Sequence, residues 1–240
     1  MSDQSTSMQK RRGTTAGQPR SYSVAEWAKG YAAWLLVLPL YLGLWAFATV
    51  FKRIPPWAVR KLLRAHEAVT YSRKQDVRIP GDPSVQAYMR RWWRIPRNAF
   101  FNIYYHIVER SDEDRALHDH PWWNFSIVLQ GGYYEHLILP GGVHQKTWYG
   151  SGSVRFRRSG NFAHRLELLA NGGNMSVVGA PQELPAKTIF ITGPVLRRWG
   201  FHAKDRWVDA YDWDAYLAEQ GQENRLPMSG YTEQLEKAGQ

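Results

Sequence analysis

The stretch "RALHDHPWWNFSIVLQGG", residues 115–132, sets two histidines either side of one aspartate and then runs through an apolar segment to paired glycines. Side chains alternate faces along a strand, so His118 and His120 share a face and Asp119 takes the other. Two imidazoles on one face can bind one metal, and they are equally a polar strand end. Two ligands alone do not hold an ion against water. The next donor of the same parity is Asn124, a weak fourth ligand or a hydrogen-bond partner that orients a water. Downstream, "SGNFAHRLELL" (159–169) starts a second apolar run at His164. A third histidine on a strand pairing near the first would complete a three-His site with open positions, as catalytic metals require.

Around this stretch the pattern is that of strands. From about residue 85, "AFFNIYYHIVE" (99–109), "NFSIVLQGG" (124–132), "YYEHLILPGG" (133–142), "HQKTWYGSGSVRFRR" (144–158), "HRLELL" (164–169), "NMSVVGA" (174–180) and "TIFITGP" (188–194) are short β-branched and aromatic runs punctuated by Gly, Pro or Asn. Many short strands with turn signals predict an all-β sandwich or barrel over residues 85–208. Helical periodicity returns only in "DAYDWDAYLAEQ" (209–220), a short closing helix ahead of a loose polar tail to residue 240.

Two spacings are more specific. His118-Asp119-His120 is followed after three residues by Asn124 and after six more by Gly131; Gly152 is followed after five residues by Arg158-Ser159-Gly160 and after three more by His164. In this the chain resembles the cupin superfamily, small jelly-roll barrels built as a double-stranded β-helix. The first cupin motif runs His-x-His, three or four residues, Glu, six residues, Gly; the second runs Gly, five residues, Pro-x-Gly, two residues, His. The likeness rests on His118, His120, Gly131, Gly152, Gly160 and His164 and covers roughly residues 95–205. Asn124 stands where the motif has Glu and Arg158 where it has Pro, which leaves the ligand set and the metal open. The region also looks like small cupin-like proteins of bacterial and phage genomes. The resemblance implies one divalent ion on His118, His120 and His164, with Asn124 beside them. Fe(II) comes first among the ions, before Zn, Mn or Ni. The three-His set is similar to that of thiol dioxygenases, and cupins are often homodimers.

Two further residues are candidates for chemistry. Glu135 follows the paired glycines on the next strand, and of Glu135 and His136 only one can face the interior. Near a metal-bound water, Glu135 could be a ligand or a general base; otherwise it is a solvated hairpin residue. Arg158, in the loop six residues before His164, is the best placed of the arginines to bind an anionic small substrate by two-point hydrogen bonding. Arg155, Arg157, Arg197 and Arg198 read as surface charges, and His202 as structural. No Gly-rich phosphate loop, HExxH or GxSxG competes, and with no cysteine in the chain thiolate chemistry is excluded.

The N-terminal third differs in kind. Residues 1–80 hold 13 Lys and Arg against 4 Asp and Glu, nearly all of the net charge of +10. Residues 1–28 read as a disordered basic tail. "YAAWLLVLPLYLGLWAFATVF" (31–51) carries no charge over 21 residues and is flanked by Lys29, Lys52 and Arg53. It predicts a transmembrane or membrane-anchoring helix over 29–53, with Pro39 as a kink or re-entrant turn. "AFA" (46–48) resembles a cleavage site, but the basic residues just beyond it resist export. Both flanks carry similar positive charge, and the soluble domain is read as cytoplasmic. Residues 54–84 predict a basic amphipathic connector lying on the lipid surface. The expected whole is a single-pass, membrane-anchored, metal-binding cupin with membrane lipid and a small anionic molecule as partners. Its chemistry would be that of a mononuclear non-haem oxygenase or related metalloenzyme. The alternative is a non-catalytic cupin that binds a small ligand or docks a membrane partner. A basic block beside an apolar segment argues against nucleic acid.

Overall fold

The strands that read as near-continuous apolar runs are covered on both faces. The computed structural model describes residues 24–79, 86–112, 116–170, 183–203 and 206–221. Its largest sheet is antiparallel and runs β1 (Val77–Ile79), β2 (Met89–Trp93), β3 (Asn102–Val108), β10 (Ala186–Thr192), β5 (Asn124–Gln130), β8 (Val154–Arg157). Along β3, Ile103, Tyr105 and Ile107 enter one core with Phe125, Ile127 and Leu129 of β5 and Ile189 of β10. Helices α1 (Val24–Phe51) and α2 (Pro56–Tyr71) close that core. The alternate residues, among them His106, Val108, Asn124, Ser126, Thr188 and Phe190, line the opposite face.

That opposite face meets a second sheet of order β7 (Val143–Gly150), β6 (Gly132–Leu139), β9 (Arg165–Leu168). Tyr133 and Leu168 from it pack with Val108, Val128, Met89 and Ile79, so a second core and a polar cavity share the space between the sheets. A third sheet, β12 (Trp207–Asp209), β11 (Gly200–His202), β4 (Leu117–His118), packs Phe201 and Val208 against Trp213 and Leu217 of α3 (Trp213–Glu219).

The N-terminal expectation is corrected here. Among the described residues no helix is long and apolar enough to cross a membrane. The transmembrane helix expected over 29–53, and the single-pass placement with a cytoplasmic domain drawn from it, are therefore withdrawn. The physical reason lies in α1's partner. Tyr41, Leu44 and Ala48, spaced three and four apart, form a buried stripe seated on the sheet, and Trp45 meets Phe125 and Phe156 edge-on at 6.1 and 6.0 Å. In the segment expected as a connector, Ala58, Val59, Leu62 and His66 of α2 are buried against the same sheet, and residues 77–79 add its edge strand. Residues 1–23 of the tail, the run at 174–180 and residues 222–240 lie outside the described residues.

Candidate metal centre

Strand β4 is two residues long, yet its pairing decides the site. His118 N donates to His164 O at 2.9 Å and His164 N donates to His118 O at 2.8 Å. Residues that exchange both bonds stand directly opposite, with side chains on one face. A slip of one residue would turn the His164 ring away. His120 N then donates to Gly160 O at 3.0 Å, and a Cβ on Gly160 would stand 1.8 Å from His120 O, so only glycine permits this approach. The result is three imidazoles with one nitrogen each inside a 4.8 Å span. Ring centroids are 4.7 Å apart for His118 and His164, 5.0 Å for His120 and His164, and 5.1 Å for His118 and His120. His120 Nε2 lies 2.8 Å from His164 Nε2.

A buried carboxylate fixes one of these rings. His164 Nδ1 donates to Glu135 Oε1 at 2.8 Å, which leaves Nε2 facing the other histidines. Arg157 also donates to Oε1 and Arg155 to Oε2, so Glu135, only 3% exposed, is bonded at both oxygens. Burial alone would raise the Glu135 carboxyl, but the His164 hydrogen bond and the two guanidiniums hold it down to about 2. It is an ionised group whose two oxygens are taken up in orienting His164 and pairing with the arginines. Burial lowers His118 to about 4 against the opposing pull of Asp112, and lowers His120 well below its usual value. Both imidazoles are therefore neutral and carry a free lone pair at physiological pH.

The histidines border a cavity of about 60 Å³ between the sheets, lined also by Asn124, Glu135, Arg155, Arg157, Arg91, Trp122 and Phe190. Asn124 is buried, with its Nδ2 unbonded. Arg158 is not brought there. It is exposed and borders a separate apolar groove with Trp123 and Phe156, because the pleat that turns Arg155 and Arg157 inward turns the next residue out. His136 takes the face opposite Glu135 and joins His144 and Glu167 at 2.9 and 2.7 Å. His202 is turned to Asp119 at 3.0 Å rather than to the cavity.

Reading the sequence alone missed Asp119 and the arginine pair. Asp119, 1% exposed, accepts from Gly200 N at 2.9 Å, Arg197 at 2.9 Å, His202 at 3.0 Å and Trp207 Nε1 at 3.1 Å, tying β4 to β11 and β12. Burial alone would raise it, but these bonds lower its pKa. The parity of Arg155 and Arg157 was visible in the sequence; their carboxylate partner two strands away was not.

No protein-family model and no curated protein matches the chain. Solved structures do match. Oxalate decarboxylase from Bacillus subtilis is 13% identical over 55% of this chain and 32% of its own, with a TM-score of 0.33. Fe(II) HppE is 16% identical over 44% of this chain and 50% of its own, with a TM-score of 0.32. Both are cupin-fold proteins, and this chain spans a third to a half of their length.

The donor set fits a metal on its own geometry. Nitrogens bound at about 2.0–2.1 Å to one ion, at roughly right angles, lie about 3 Å apart, close to the His120–His164 separation of 2.8 Å. Three histidines, one held by a carboxylate through its second nitrogen, form a group that could hold a metal ion.

Proposed function

We propose that this chain is a cupin-fold metalloenzyme in which His118, His120 and His164 hold one divalent transition-metal ion, Fe(II) first, and a small anionic substrate occupies the adjoining cavity. The observation that carries this reading is the convergence of three imidazoles, with His120 Nε2 and His164 Nε2 at 2.8 Å, on a cavity rather than on solvent. Imidazole donors suit Fe, Zn and Ni, and three of them leave positions for substrate. When bound, such an ion supplies Lewis-acid polarisation or, if redox-active, dioxygen chemistry. The chain's own residues bind and orient. Glu135 holds the Nδ1–H of His164 and so its ring, while Arg155 and Arg157 hold Glu135 ionised. Trp122 and Phe190 form part of the cavity wall.

The test is whether the coordination shell is open. Mn(II)-loaded protein should relax solvent water protons through an exchangeable water, and small carboxylates should suppress that relaxation. A metal with no exchangeable water would mark a closed, structural site and overturn the catalytic reading.

A further inference from the structure

Among the described residues that line the cavity the only carboxylate, Glu135, is taken up by His164, Arg155 and Arg157. The buried lining atoms without a hydrogen-bond partner are Nδ2 of Asn124, a residue 3% exposed, Nε1 of Trp122 and Nε of Arg155, all of them donors. A further donor is Arg91 on β2. Its Nε donates to His106 Nε2 at 2.8 Å and its guanidinium lies over the Tyr104 ring at 4.8 Å, but it makes no ion pair among the described residues. Arg91, His106 and Thr188 are register partners across β2, β3 and β10, in one row along the cavity face. Three guanidiniums thus face this cavity against one carboxylate. Buried donors without acceptors are costly.

We infer that Arg91 is the anion-binding residue of the cavity, receiving the carboxylate of a small substrate, with Asn124 Nδ2 and Trp122 Nε1 donating to its remaining oxygens. The inference rests on the metal reading for the other end of that substrate. At about 60 Å³ the cavity suits a small carboxylate. Arg91 lies before the strands that carry the motifs, which is why the sequence did not single it out.

The experiment is calorimetry on the full chain, purified without chelator and loaded with Mn(II), with glycolate as probe and glycolamide as its neutral counterpart. Metal content is measured on every sample. Glycolate should bind and glycolamide should not. Arg91→Gln should weaken glycolate about 10- to 100-fold at unchanged metal content, Arg91→Lys should recover part of that, and Arg158→Gln should leave it unchanged. Circular dichroism selects the folded variants, and the Lys variant carries the test if Gln does not fold. Glycolate binding that is insensitive to Arg91, or equal binding of glycolamide, would overturn the inference. Failure of the metal reading looks different: the wild-type chain takes up no Mn(II), whether or not Arg91 still governs glycolate.

Discussion

Glu135 is the residue on which the His118, His120 and His164 cluster turns, although it is bonded to His164 alone of the three. It stands between His164 and two arginines, with one oxygen shared by His164 and Arg157. Glu135→Gln would keep the shape and remove the charge, leaving two partly or fully buried guanidiniums without their counter-ion and His164 without a fixed tautomer. We expect metal affinity to fall about 10- to 100-fold and stability to fall by about 3–5 kcal/mol, as for a broken buried pair. Metal titration and chemical denaturation read the two effects. Unchanged metal affinity would mean that His164 is oriented by other contacts. At this scale the sequence was partly informative. The shared face of His118 and His120 is visible in the chain, and so are Gly160 and His164 as motif positions, but not the register that sets His164 opposite His118. The roles of Glu135, Arg157 and Asp119 depend on partners far along the chain, and no local spacing announces them. Arg158 drew attention as a loop arginine, but a residue one step past a cavity-facing position points outward.

Elements tell the same story through the N-terminal helices. An uncharged run of 21 residues reads as a span because hydropathy does not reveal what covers it. Here one stripe of α1 and one face of α2 cover a sheet whose outer residues are as apolar as they are. Leu44→Ala should therefore destabilise the fold by about 2–5 kcal/mol, whereas Leu42→Ala, at a position 57% exposed, should cost less than about 0.5 kcal/mol. Equal effects in thermal or urea unfolding would remove α1 from the core. The seam between the helices and the sheet also has a pH signature. His66 on α2 bonds the Tyr41 hydroxyl and stacks on Tyr105 at 5.3 Å, and burial lowers it to about 3. The unfolded chain takes up this proton near pH 6.5 while the folded chain refuses it. His66 thus favours the fold fully above pH 6.5 and loses that contribution as pH falls towards 3, at about 1.4 kcal/mol per pH unit. His66→Gln should flatten the loss of stability between pH 6 and pH 4 by about one proton. Parallel curves for wild type and variant would show that His66 is protonated in the fold.

For the whole molecule, the sheets bring together what the sequence scatters. His118 and His164 come from segments 46 positions apart, Glu135 from a third and Arg91 from a fourth, and antiparallel register sets them around one cavity. The strand-rich character from residue 85 onward was legible because alternation and turn residues repeat. The layering was not, because nothing local says which apolar face meets helices and which meets a second sheet. The central claim is that this arrangement holds a metal. Elemental analysis of the full chain, purified without chelator and offered Fe(II) anaerobically, beside a His118→Ala/His164→Ala variant, tests it most directly. The account predicts close to one divalent ion per wild-type chain and none in the folded variant; a wild-type chain that holds no metal, or a variant that holds as much, would contradict it.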